Sequence, residues 1–467
     1  MRKILSLFLV CAILFSIAGC KSSEMRHCPG CNSALSNETR YCPNCGEELV
    51  FKNDNAEDDL HSQKQKKDPV LWDGSIADSY ESGEGTADNP YEIANASQLA
   101  FFAQETNAGR VYYGQYFYLS NDILLNNPTD IEGYFEKNNN FANINFWIPI
   151  GTREHPFEAN FFGSNYSIIG LAIDTYDKEL ENAGLFGYMS KGYIGYVHIN
   201  SSYIYAPDVV GGIVATVFPK NTTSATIEKC SSDANLWSRG KITRSAPNSD
   251  DMYMTISDCG GIIGFVQATS GDVNVRGCIN YSDINCYLTN EYIEKLKSIY
   301  DFKYMYYLDS TAVGGIVGGS SVSTDQKSLY ISNCINYGTI SCKWNDRVTA
   351  GGIIGSASNQ TTICDSLNMG YIQGDKEDFA FGGIAGNISA SYYVKYCYVS
   401  NCYIIPEYCS AGIGASSDHI SISIYTTTIE NAKSIKWLSE NLYFNDKEYE
   451  INNGKIHILP PKKSPFK

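Results

Sequence analysis

Histidine is scarce in this chain, which holds only His27, His61, His155, His198, His419 and His457. None of them opens a His-Glu-x-x-His pair, so zinc-peptidase chemistry has no motif to stand on. A Gly-x-Ser-x-Gly elbow and a phosphate-cradling Gly-x-x-x-x-Gly-Lys loop are also missing, which removes the serine-hydrolase and nucleotide signatures. Positive charge is in short supply. Lys and Arg number 35 against 51 Asp and Glu, a net charge of −16, which excludes a sequence-independent electrostatic grip on nucleic acid and sets the chain against anionic membranes. Charged residues make up only 18% and hydrophobic ones 43%, which excludes disorder throughout.

Glycine (40) and tyrosine (35) are plentiful, and short Val/Ile runs recur along the chain, favouring a β-rich fold over a helical one. The chain opens on the basic Met1-Arg2-Lys3, followed by an apolar or small stretch from Ile4 to Ile17 and then Ala18-Gly19-Cys20. This reads as an export signal. At 1.5 Å per residue the 14-residue stretch covers about 21 Å, short of the roughly 30 Å a membrane span needs. The tail Ile17-Ala18-Gly19-Cys20 resembles the lipobox of bacterial lipoproteins. That resemblance implies cleavage before Cys20, a diacylglyceryl group on Cys20, and everything beyond it outside the cytoplasm at the cell surface. Loss of residues 1–19 removes Arg2 and Lys3 and leaves a mature charge of −18.

Two Cys-x2-Cys knuckles follow, Cys28-Pro29-Gly30-Cys31 and Cys42-Pro43-Asn44-Cys45. Each tight turn can present two thiolates, and four together complete a tetrahedral site suited to structural zinc. The segment resembles the short zinc ribbons of many bacterial proteins. So small a module cannot bury a sufficient core, and the metal would supply its folding energy. A redox pair or two disulfides are the rival readings, because export makes oxidation possible. Lys52 to Asp68 is crowded with Asp, Asn, Lys and Gln and reads as a solvated spacer.

The remainder is repetitive. Val210-Gly211-Gly212-Ile213-Val214, Cys259-Gly260-Gly261-Ile262-Ile263-Gly264, Val313-Gly314-Gly315-Ile316-Val317-Gly318, Ala350-Gly351-Gly352-Ile353-Ile354-Gly355 and Phe381-Gly382-Gly383-Ile384-Ala385-Gly386 are versions of one unit. Their first glycines are 49, 54, 37 and 31 residues apart, so a fixed unit with variable loops predicts a solenoid. A second element, Cys278-Ile279-Asn280-Tyr281 and Cys334-Ile335-Asn336-Tyr337, travels with it. These units, together with Ile168-Ile169-Gly170-Leu171 and Gly184-Leu185-Phe186-Gly187, look like GLUG repeats. Such repeats occur in bacterial surface proteins, in adhesins and in the non-catalytic region of streptococcal immunoglobulin A proteases. The resemblance covers roughly residues 72–430 and implies an all-β, parallel β-solenoid of about ten coils, roughly 50 Å long at the strand spacing.

Ser97 to Ala103 alternates at helical spacing, with Asn95 or Ser97 as its cap and Asn107 or Gly109 as its end, and is expected to close the first coil. Ser434 to Leu438 and Ile456 to Pro460 are expected to close the other. Cys230, Cys278, Cys334, Cys364 and Cys397 fall 19, 18, 20, 13 and 15 residues after their glycines, which predicts one inward column of free core thiols. Rung-to-rung disulfides remain geometrically open.

The organisation expected is therefore a signal peptide (1–19), an anchor segment (20–27), a zinc ribbon (28–49), a linker (50–70), the solenoid (71–430) and a C-terminal cap and tail (431–467). Asp283 and Asp365 are isolated carboxylates, whereas β-helical polysaccharide enzymes need clustered charge on one strand face. Exposed aromatic rings stack on sugars or anchor proteins, and the long insertion at residues 287–311 holds Tyr300, Tyr304, Tyr306 and Tyr307. The function expected is a non-enzymatic binding or adhesion scaffold. Its partners would be the membrane, through Cys20, and a host or neighbour-cell glycan or protein, with no nucleic acid or nucleotide. A polysaccharide-active enzyme and a structural spacer are the alternatives.

Overall fold

A computed structural model describes the strands Arg26–His27 and Ala34–Leu35 and most of residues 67–461. Within the latter range 138–142, 176–179, 181, 221–222, 239–240, 245–250, 256–257, 269–270, 287–303, 308–310, 323–327, 343–347, 375–379, 390–396 and 417–419 fall outside the described residues. The chain divides into two compact units, Met1–Lys64 and Gln65–Lys467. In the first, Arg26 pairs with Leu35 and His27 with Ala34 in an antiparallel ladder.

The second unit is a parallel β-solenoid. One coil runs through the strands Ala225–Glu228, Ser231–Ser232, Asn235–Ser238, Cys259–Gly260 and Ile263–Ala268. Equivalent strands of successive coils stack in register into sheets of 17, 7, 6 and 6 strands, the largest holding the first two strands of each coil. In-register stacking puts like above like. Ile227 lies between Ile194 and Val275, and Ile331 and Ile363 continue the same column, all inside and at most 1% exposed. Each such side chain contributes roughly 1.5–3 kcal/mol of hydrophobic stabilisation. The leading column of the large sheet contains ten strands from Tyr91–Ile93 to Ile420–Thr426, a length of about 43 Å at the usual spacing.

The two glycines of each repeat unit solve different steric problems. A Cβ on the first would collide with backbone, as at Gly314, where it would stand 1.8 Å from the Val317 carbonyl oxygen. At Gly261, Gly315 and Gly352 the second faces an asparagine ladder: a Cβ on Gly315 would stand 2.1 Å from the Gly352 oxygen and 2.4 Å from Asn336 Cγ. Asn280, Asn336 and Asn368 are fully buried, and the amide of each of the first two donates to the next one's oxygen at 2.8 Å. Each also brackets the turn two residues on. Asn336 donates to the Gly338 carbonyl at 3.0 Å and accepts from its N–H at 3.2 Å. The buried amides are thereby satisfied without water.

The ten cysteines among the described residues are free in this structure, and all except Cys409 are buried. Their register differs from the spacing argument. Cys230, Cys278 and Cys334 do form one inward column, but it continues through Ser366 to Cys402. Cys364 stands level with Ser332 and Arg276, and Cys397 level with Thr361. Counting from the glycines includes loops of unequal length, whereas the ladder hydrogen bonds fix register independently of loop length.

The helix Ala96–Asn107 covers the first coil. Asn95 accepts from the Gln98 N–H at 3.0 Å, Gln98 accepts from the Ala94 N–H at 2.8 Å, and Gly109 follows the end at φ +96°. Its Phe102 packs on Phe117 and Phe161 at ring distances of 4.3 and 5.9 Å, placing apolar surface on the innermost layer of the core.

The C-terminal segment does not close the far end. Its helix Ile435–Leu442 and hairpin Tyr449–Asn452/Lys455–Ile458 turn back along the outer flank of the large sheet. Asn401 and Asn333, both left-handed corner residues, donate to the carbonyls of Asn441 and Leu442 at 2.7 Å. Further back, Ile456 N–H donates to the Tyr337 hydroxyl at 3.0 Å and Lys229 meets Glu448 at 2.6 Å. The segment lies on Ile279, Ile335 and Leu367, an outward column that would otherwise expose apolar surface.

The ladder predicts where the unit is brittle. Asn336→Ala, which removes four buried hydrogen bonds, and Gly315→Ala should each cost about 3 kcal/mol or more by chemical denaturation. A change below about 0.5 kcal/mol for either would refute the ladder as a stabilising element.

Candidate functional site

The outward column that the C-terminal segment covers changes character where that segment stops. Leu367, Ile335 and Ile279 are level with Ser231, His198 and Ser167 in the preceding rungs. The polar half lies beyond that apolar contact. Together with the edge of the C-terminal hairpin it forms a groove of about 690 Å³, within the range that holds small ligands.

Three sides of the groove differ chemically. Its solenoid wall carries Asn165, Ser167, Asn200, Ser231 and Asp233, amide, hydroxyl and carboxylate groups brought together by register across three rungs. One edge is aromatic: the Tyr281 ring lies 5.7 Å from the His457 ring at 26°. Lys455, on the hairpin, sits over Tyr281 and Tyr337 at 5.3 and 5.8 Å. The Tyr281 hydroxyl donates to the Ile456 carbonyl, so the hairpin is held to the ring at the groove's aromatic edge.

A hydrogen-bonded chain runs along the wall. His198 Nδ1 lies 2.7 Å from Ser231 Oγ, and its Nε2 lies 2.9 Å from Asn165 Oδ1. Asn200 donates to Ser167 Oγ at 2.9 Å, and Asp233 accepts the Ser201 N–H at 2.6 Å. Burial lowers the pKa of His198 to about 4, with His457 adding to the effect and Asp122 opposing it, so the imidazole is neutral at pH 7. Burial raises the Asp233 carboxyl above its ordinary value, opposed by the Ser201 N–H and by Lys455. Asp233 and Lys455 act on each other electrostatically, in a lining otherwise rich in amide and hydroxyl groups.

The residues singled out from sequence lie elsewhere. Cys20, Cys28, Cys31, Cys42, Cys45 and Tyr300 fall outside the described residues. Tyr304, Tyr306 and Tyr307 belong to the strand Tyr304–Tyr307, which pairs in parallel with Asp251–Thr255. That strand in turn pairs with Lys241–Arg244, so insertions from two successive coils share a small three-stranded sheet. Asp283 and Asp365 are structural: the first accepts the Thr339 N–H of the next rung at 2.9 Å, and the second accepts from the Asn401 amide at 2.7 Å. Among the described residues no group of three His, Cys, Asp or Glu could hold a metal, and no helix is long and apolar enough to cross a membrane. The groove was invisible to motif reading, because its residues converge only through register and a C-terminal segment doubled back. The one local signal was the switch from Ile279 to Ser231 at equivalent repeat positions.

No protein-family model matches the chain, and no curated protein matches it significantly. Among solved structures it is similar to a protein from Bacteroides ovatus provisionally assigned as an immunoglobulin A1 protease. That similarity has a TM-score of 0.52 at 17% identity and covers 81% of this chain and 95% of the other. At such identity the likeness concerns the fold: both chains share a parallel solenoid architecture.

His198 provides a pH test. The unfolded imidazole titrates near 6.5 and the folded one near 4, so between these values only the unfolded state gains a proton, and stability falls as pH falls. Going from about pH 7 to about pH 4.5, the wild type should lose roughly 2–3 kcal/mol more than His198→Asn in urea titrations. Equal losses in the two proteins would contradict a buried neutral imidazole.

Proposed function

We propose that this chain is a surface-displayed, non-enzymatic scaffold that binds a glycan in the groove between the solenoid flank and the C-terminal hairpin. The observation that carries this reading is the lining itself. Amide, hydroxyl and carboxylate groups on one wall, with a stacked aromatic pair beside them, match the hydroxyls and the apolar face of a sugar ring. Glycoside hydrolysis by paired carboxylates is less well supported, because Asp233 is the groove's one carboxylate among the described residues. The shared fold with a chain provisionally assigned as an immunoglobulin A1 protease is compatible with a GLUG-type repeat region that works as a scaffold.

A glycan array probed with the protein should give saturable binding that Asn200→Ala combined with Lys455→Ala weakens at least about tenfold, roughly 1.4 kcal/mol. Binding indifferent to both changes would move the site elsewhere. Release of reducing ends would replace the scaffold with an enzyme, and silence in both assays would leave a spacer.

In the same reading Cys20 carries the lipid that fixes the scaffold to the membrane, and Cys28, Cys31, Cys42 and Cys45 hold one structural zinc. Native mass spectrometry of protein extracted from membranes should find a chain beginning at Cys20 with a diacylglyceryl adduct and one zinc that a chelator removes. An unmodified Cys20 would reject the anchor. Four cysteines found as two disulfides would reject the zinc.

A further inference from the structure

The two ends of the solenoid are finished differently. At the first coil the core is covered by the helix Ala96–Asn107, whose Phe102 lies on the innermost aromatic layer. At the last coil the core column is cut open. Ile227, Val275, Ile331, Ile363 and Val399 are at most 1% exposed, but Ile422, next in the same column, is 49% exposed.

The backbone is open there as well. The strand Ile420–Thr426 pairs with Cys397–Ile404 on one side, and among the described residues nothing pairs with its other side. The neighbouring strand Ile413–Ser416 likewise ends its sheet. Neither strand contains a charge or a proline, the usual devices that keep a free edge from pairing. In a chain of net charge −16, two terminal strands without a charged residue can pair with their copies without setting carboxylate against carboxylate along the paired strands.

We propose that this open end pairs with the open end of a second copy of the chain, forming a tail-to-tail dimer across a two-fold axis. Head-to-tail stacking is blocked, because the opposite end is covered by its helix, so association closes at two copies instead of growing into a fibre. Antiparallel pairing of Ile420–Thr426 centred on Ser423 sets Ile422 of one copy opposite Ile424 of the other, and Ile420 opposite Thr426. All four positions are level with inward residues of the preceding rung, so the two cores become continuous. The interface is independent of the groove and of its ligand.

Sedimentation of the full chain in detergent between roughly 1 and 100 μM should show a concentration-dependent dimer. Ile422→Lys should weaken it at least about tenfold, and Ile148→Lys, an exposed apolar position outside the two terminal strands, should leave it intact. Ser423→Cys places two thiols at the axis, where opposed Cα atoms stand about 4.5–5.5 Å apart, and should yield an oxidised dimer above the wild-type background. A monomer at every concentration, or a dimer that Ile422→Lys does not touch, overturns the proposal. If Ile422→Lys does not fold, Ser423→Cys decides alone: a cross-linked dimer supports the pairing, and its absence overturns it.

Discussion

Close approach between consecutive rungs is the constraint on which the rest of this molecule depends. Parallel strands in register stack each coil on an almost identical copy of itself, and any position that cannot tolerate its own likeness above and below is excluded. The double glycines and the asparagine ladder are two halves of one solution. Gly261, Gly315 and Gly352 leave room against Asn280, Asn336 and Asn368, whose amides then run from rung to rung through the interior. A side chain at either glycine would displace backbone rather than a flexible tip. The repeat is therefore rigid in sequence at these points and permissive in the loops between them.

Stacking also fixes what happens to charge. Carboxylates that could repel one another along a column are used singly, as staples. Asp122, Asp272 and Asp283 each accept a backbone N–H from the following rung, of Ser167, Ser328 and Thr339 in turn. This gives charged residues a structural use on a surface that remains strongly acidic overall. It also explains why isolated acidic residues near repeat positions are a poor guide to catalysis here.

Much of the solenoid was legible in the sequence, because register stacking imprints itself as repetition: the Gly-Gly-Ile units, the Cys-Ile-Asn-Tyr element and the capped helix at Asn95 are local patterns with local causes. The cysteine column was only half legible. Position along the chain measures loops as well as strands, so Cys364 and Cys397 fell out of register with Cys334. The path of the C-terminal segment was not legible at all. Its helix cap at Ser434 and its left-handed Asn453-Gly454 turn state which elements form, but nothing local states that they dock on Ile279, Ile335 and Leu367. The groove inherits that opacity, since one of its sides is the docked hairpin.

The doubled-back segment also sets how the molecule would bear a pull. From residue 461 inward, its fastenings to the solenoid are met in the order Tyr337, Lys229, Asn333 and Asn401. Load applied beyond residue 461 would reach the hairpin first and work along these fastenings toward the last coil, releasing one contact after another like a seam. The rungs, joined edge to edge by their ladders, would be loaded only after the seam had opened. Tension would therefore dismantle the hairpin side of the groove while the solenoid wall stayed folded, making the completeness of the groove a readout of mechanical strain.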